Sequence, residues 1–301
     1  MVMTIQAARA WAGPLKRVLQ AVSWLLAATA SAAMAGTSLV WETDGFQAPE
    51  SVCHDAARGV LYVSNVNGSP TEKNGQGYLS RLSSGGQVLQ KKWVTGLNAP
   101  KGMAVVGDRL YVSDIDALVE IDIGRGEVIA RYRAPGAKFL NDVTADGAGN
   151  VYVSDMMDDA IYRLASGRFA LWIKDPKLNS PNGLYVQGDR LVVASWGQRT
   201  KGFETDIPGH LLSVSLADGH VGDLGSGMPV GNLDGIEADS RGSYLVTDWM
   251  NGALYRINAK GDPRLLMDLP QGSADLAYIR SQGIAVIPMM NDGLVRAYLI
   301  H

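Results

Sequence analysis

A single cysteine, Cys53, stands in a chain of 301 residues, so no internal disulfide can form. The fold must therefore be held by its core, with that thiol expected as a small buried apolar group. Acidic residues are missing from the first 35 positions, where Arg9, Lys16 and Arg17 precede the apolar run VLQAVSWLLAATA and the segment closes on Ala33-Met34-Ala35. That is the pattern of a cleaved secretory signal. The run is too short for a membrane anchor, which needs about 20 apolar residues in a row, and no later stretch is long or apolar enough to cross a bilayer. Cleavage after Ala35 is expected, giving a periplasmic or secreted protein of residues 36–301 that does not associate with a membrane. This part carries 24 basic and 30 acidic residues, a net charge of about −6, which argues against a nucleic-acid partner. Also lacking are helical periodicity after residue 35 and any G-x-S-x-G nucleophile elbow. The four histidines (His54, His210, His220 and His301) are dispersed and suggest no catalytic dyad.

What the chain does contain is a repeat. The phrases GVLYVSN, DRLYVSD, GNVYVSD, DRLVVAS, GSYLVTD and QGIAVIP align with valine at one register: Val63, Val112, Val153, Val193, Val246 and Val286. A period of about 40 residues marks a repeat architecture. Each phrase follows a strand-like segment and a turn, and most precede another alternating run such as AIYRLA or ALYRINA. A unit of this size is a small antiparallel sheet that needs neighbours on both faces. The expected fold is an all-β six-bladed propeller in one domain. The last unit ends one strand early, whereas SLVWET is a surplus strand near the other end, so residues 38 to 43 are expected to complete the sixth blade and close the ring.

Aligning on the valines also reveals what stands at the start of each inner strand: Glu50, Lys101, Asn141, Asn182, Asp234 and Asp275. In a propeller these positions converge on the central channel. Glu50, Asn141, Asn182 and Asp234 would bring together two carboxylates and two amides, a set of oxygen donors suited to a hard divalent cation, Ca²⁺ before Mg²⁺. The plainer reading, that each Asn or Asp initiates its own turn, competes with this at every single position.

With these residues in place, the chain resembles the gluconolactonase and regucalcin family of six-bladed, metal-dependent lactonases, over essentially all of 36–301. The resemblance implies Glu50, Asn182-Gly183 and Asp234-Gly235 as the metal-holding positions. It further implies that Asn141 of the Asn141-Asp142 pair contacts substrate or metal. Sugar-lactone members often carry an arginine two residues before that asparagine; Phe139 stands there, a departure that bears on the substrate. Lys138 is adjacent, but alternation along an extended strand aims it elsewhere.

The implied activity is hydrolysis of a small lactone or ester by a protein expected to be monomeric. Asp234 is the candidate general base and Asp142 a weaker one. The loops after the valines contribute Met156, Met157, Trp196, Trp249, Met250, Met289 and Met290, so an apolar or adaptable substrate is expected, with Phe139, Trp196 and Trp249 contacting it. The valine spacings of 49 and 53 place surplus residues after Val63 and after Val193, expected as surface loops that form a two-sided rim on the metal-bearing face. A different class remains open: a non-enzymatic propeller that binds a ligand or protein and holds a structural calcium. A carbon–carbon bond former resembling strictosidine synthase is less favoured, because no lone glutamate base replaces the ligand set.

Overall fold

The computed structural model describes residues 37–301; the expected signal segment and its cleavage point lie outside the described residues. Six four-stranded antiparallel sheets follow one another around a ring, so the expected propeller is what the chain forms. The first blade runs through Pro49–Asp55, Val60–Asn65, Gly77–Ser83 and Val88–Leu97. The sixth has only Ala277–Ile279, Ile284–Met289 and Leu294–Leu299 from the end of the chain, and Ser38–Thr43 supplies its outer strand. That strand pairs antiparallel from Ser38 opposite Leu299 to Thr43 opposite Val295, as expected from the sequence. Among the described residues the only helical element is a single 3₁₀ turn, Pro176–Leu178.

The core is distributed between blades rather than within them. Alternate strand residues point to opposite faces, so each face packs on a neighbour. Val60, Tyr62 and Leu79 of the first blade, for example, meet Met103, Leu110 and Val112 of the second. All six register valines are fully buried.

The repeated phrase has a second layer of meaning at the inner strand. Val63 pairs with Val52, whereas the next pair in the ladder is Asn65 with Pro49, so three steps on one strand match two on the other. The same irregularity recurs at Pro100/Met103, Leu140/Val143, Pro181/Leu184 and Leu233/Ile236. Each is a β-bulge, which re-aims side chains and frees backbone groups from the ladder. The hydroxyl following the valine takes up one of those groups: Ser64 Oγ accepts Ser51 N, Ser154 Oγ accepts Asp142 N and Thr247 Oγ1 accepts Gly235 N, each at 2.9 Å. The acid after it fixes the loop leading into the strand, as when Asp155 accepts Lys138 N at 2.7 Å and Phe139 N at 2.9 Å. Valine, hydroxyl and acid thus serve packing, bulge and loop in turn.

Candidate functional site

The bulges sit at the start of the inner strands of the first five blades, where Glu50, Lys101, Asn141, Asn182 and Asp234 are the bulged residues; Asp275 precedes the regularly paired inner strand of the sixth. Glu50, Asn141, Asn182 and Asp234 are all buried and all line one pocket of about 280 Å³ at the mouth of the channel. The neighbouring position in the fourth blade must be glycine. A Cβ on Gly183 would lie 2.0 Å from Asp234 O, so any side chain there would push the fourth blade off the fifth.

Within the ring the donors are linked. Asn141 Nδ2 donates to Asn182 Oδ1 at 2.5 Å. The Asn182 side chain in turn faces the Asp234 carboxyl and favours its charged form, against burial and the Asp275 charge, which together raise it well above its usual value. Glu50 is raised as well, first by burial and then by Asp234, with Lys101 acting in the opposite sense. Glu50 Oε2 has no hydrogen-bond partner, although it is enclosed. Lys101, the cationic side chain of the same pocket, makes no ion pair with it: its ammonium donates to Ala99 O at 2.9 Å and Pro70 O at 3.1 Å and lies 4.4 Å from the centre of the Phe139 ring. Burial lowers that lysine to about 8. Two buried carboxyls without a paired cation, one with an orphaned oxygen, are costly unless a cation completes them. The donor set of this pocket therefore fits a divalent ion. Among the described residues no three His, Cys, Asp or Glu gather as a cluster of metal-ligating type, so any ion here rests on two carboxylates and two amides.

Asp142 does not share this pocket. Its oxygens accept Val143 N and Leu184 N, each at 2.6 Å, which brackets the third blade to the fourth. It lines a different cavity further along the channel, together with Cys53, His54, Glu237 and Asp275. The weaker candidate base thus lines a different cavity from Asp234, because the bulge sends consecutive residues to different levels of the channel. Cys53 is half-buried at that level, where burial and then the nearby carboxyls raise its thiol and disfavour the thiolate.

The walls of the mouth pocket are apolar. Phe139, Met156, Trp196, Phe203, Trp249 and Met290 line it. Phe139 meets Phe203 edge-on at 5.7 Å, and Trp196 lies 6.1 Å from Phe203 and 6.2 Å from Trp249, a continuous aromatic face. Met289 does not belong to it, being packed between the fifth and sixth blades. Lys138 points outward to Asp158 at 2.5 Å, as alternation requires. Both long connections reach the mouth: Pro70 from the first blade and Trp196 with Phe203 from the fourth line the same pocket. The second connection is more ordered than expected. Gly197–Arg199 and Thr205–Pro208 form a two-stranded ribbon, which Gly197 opens with a φ of 114° and which Trp196 Nε1 ties down by donating to Phe203 O at 2.9 Å. Its polar, Gly-rich composition and the non-alternating Thr205–Pro208 gave no strand signal in the sequence.

Comparison with solved structures places this architecture among known propellers. A gluconolactonase from Xanthomonas campestris superposes with a TM-score of 0.65 at 15% identity, over 88% of this chain and 89% of that one. The chain is similar in fold to the gluconolactonase and regucalcin propellers. A calcium-binding regucalcin from Agrobacterium tumefaciens gives 0.61 at 16% identity, over 87% and 92%. A virginiamycin B lyase from Staphylococcus aureus, described as a catalytically inactive histidine-to-alanine variant, gives 0.59 at 12% identity, over 88% and 100%. At these identities the likeness shows the fold. No family model and no curated relative matches the chain.

Proposed function

We propose that the protein is a metal-dependent hydrolase of small lactones or esters with an apolar body, working outside the cytoplasm after loss of its first 35 residues. The observation that carries this reading is the union, in one pocket, of a partly uncompensated ring of oxygens (Glu50, Asn141, Asn182, Asp234) with an apolar wall. The gluconolactonase fold neighbour supports it. So does the absence of histidine from the pocket lining, which separates this site from the histidine-dependent lyase on the same fold.

A divalent cation held by Glu50, Asn182 and Asp234, Ca²⁺ by the hardness of those donors, would polarise the acyl carbonyl and acidify water. The chain's own residues do the rest. Asn141, already aligned by its bond to Asn182 Oδ1, fixes the neighbouring amide. The aromatic wall excludes bulk water and orients the acyl group. Asp234 takes the proton from the attacking water and returns it to the departing alkoxide, so that ring opening yields a hydroxy acid.

The test is turnover across a panel of lactones and aryl esters, with and without chelator, alongside Asp234→Ala. Chelator-sensitive acid release that the variant lacks is expected. A protein that binds these compounds but releases no acid under any condition would instead be a binding propeller with a structural ion.

A further inference from the structure

Lys101 is the one cationic side chain among the residues that line the mouth pocket. It occupies the second-blade position of the ring, between Glu50 and Asn141, and is 1% exposed. An ammonium carries three N–H donors. Two are spent on Ala99 O and Pro70 O, and no hydrogen bond takes the third. The two carbonyls and the Phe139 ring hold the nitrogen in one place, where the first-blade rim meets the aromatic wall.

None of these direct contacts is an anion: Glu50 and Asp114 act on the ammonium only from beyond ion-pair distance, so its charge is compensated without being paired. A cation removed from water is completed best by a carboxylate. The surroundings also count against a polyhydroxylated ligand, which needs several donors and acceptors at once. Outside the ring of oxygens the wall offers thioethers and ring carbons with Asn291 as its one amide, and the Trp196 indole N–H is already given to Phe203 O.

We propose that Lys101 is the specificity residue of this pocket and anchors a carboxylate on the substrate, so that the preferred lactone or ester combines an apolar body with one carboxylate group. The inference rests on the hydrolytic reading for the word substrate, but not for the anchoring itself, which binding alone can report.

Two matched pairs of probes test it on the calcium-loaded protein. For turnover these are 4-carboxyphenyl acetate and 4-carbamoylphenyl acetate; for binding by calorimetry, 4-phenylbutyrate and 4-phenylbutyramide. The wild type is expected to prefer the acid of each pair by about tenfold to a hundredfold in kcat/KM and in Kd, the range for a hydrogen bond between charged partners in a poorly hydrated site. Lys101→Met should bring both ratios close to one, and Lys101→Arg should retain most of the preference. A wild-type ratio near one overturns the proposal without reference to any variant. So does an acid preference that persists in Lys101→Met, which would place the carboxylate on the cation of the ring. If neither ester turns over while the acid preference in binding is present and disappears in Lys101→Met, the anchor stands and the hydrolytic reading falls.

Discussion

Replacing Asp275 by asparagine should change how the stability of this protein depends on pH. The side chain is buried in the channel, where it accepts Ser51 Oγ at 2.5 Å, and burial raises its carboxyl from the ordinary 3.8 to about 7. Its charge also raises Glu50, Asp142, Asp234 and Glu237, so it is common to every strained acid of the channel. Because the folded value lies above the unfolded one, the folded protein holds the proton more tightly between them. Stability from this group is therefore complete below about pH 4 and is lost as pH rises through 7. A gap of about three units, at about 1.4 kcal/mol each, gives roughly 4 kcal/mol, of which about 3 kcal/mol falls between pH 5 and 8. Asparagine keeps an acceptor for Ser51 and cannot ionise. Urea unfolding of both proteins in chelator, at pH 5 and pH 8, should show the variant gaining on the wild type by about that amount. His54, which burial lowers, adds stability as pH rises toward 6.5, but it is present in both proteins and cancels in the difference. Stability profiles that run parallel from pH 5 to 8 would refute the reasoning, since Asp275 would then not be a buried, titrating acid.

Three further outcomes are expected. Adding Ca²⁺ to chelator-stripped protein should raise Tm by roughly 5–10 °C once the ion exceeds its Kd about a hundredfold, and calorimetric melting of Glu50→Gln should show little or none of that rise. Asp142→Ala should destabilise by about 1–3 kcal/mol in urea, because the buried amides of Val143 and Leu184 lose their acceptor; an unchanged midpoint would mean that water replaces the bracket. Shortening either the 66–76 connection or the 197–208 ribbon should alter relative rates among lactones and esters more than Tm, and unchanged relative rates would remove the rim from specificity.

Much of this arrangement was legible because the repeat couples two residues whose spacing is fixed by the hairpin between them. Once Val63 and Val153 are aligned, Glu50 and Asn141 fall at one height on the axis, and nothing about side-chain packing need be known. The closing strand was legible for a similar reason: a missing edge at Leu294–Leu299 and a surplus one at Ser38–Thr43 are a deficit and an excess of the same element. What the sequence did not reveal depends on direction rather than height. Asn141 and Asp142 are consecutive, and only the bulge opposite Val153 decides that the first faces the mouth while the second turns to Leu184 N. Met289 and Met290 are likewise adjacent, yet one is core and the other pocket wall. Lys101 was visible in the register but silent about its purpose, because its meaning lies in the carbonyls of Ala99 and Pro70 and the ring of Phe139, which only folding brings to it.

The ring closure also sets an order of events in time. Among the described strands Ser38–Thr43 is made first and its partner Leu294–Leu299 comes after all the others. Contacts between such distant segments form slowly, because the loop entropy must be overcome before the pairing rewards it. The first five blades can stack as the chain emerges, but the circle stays open until Leu294–Leu299 is free to pair. Through that interval the sixth blade presents an unpaired edge whose natural complement is a short, apolar strand waiting at the other end of the same molecule. At high concentration a second copy offers that strand equally well, and the outcome is exchange of Ser38–Thr43 between molecules. Refolding yield should therefore fall as protein concentration rises, and the exchanged species should be a dimer with two intact mouths rather than an aggregate of damaged ones.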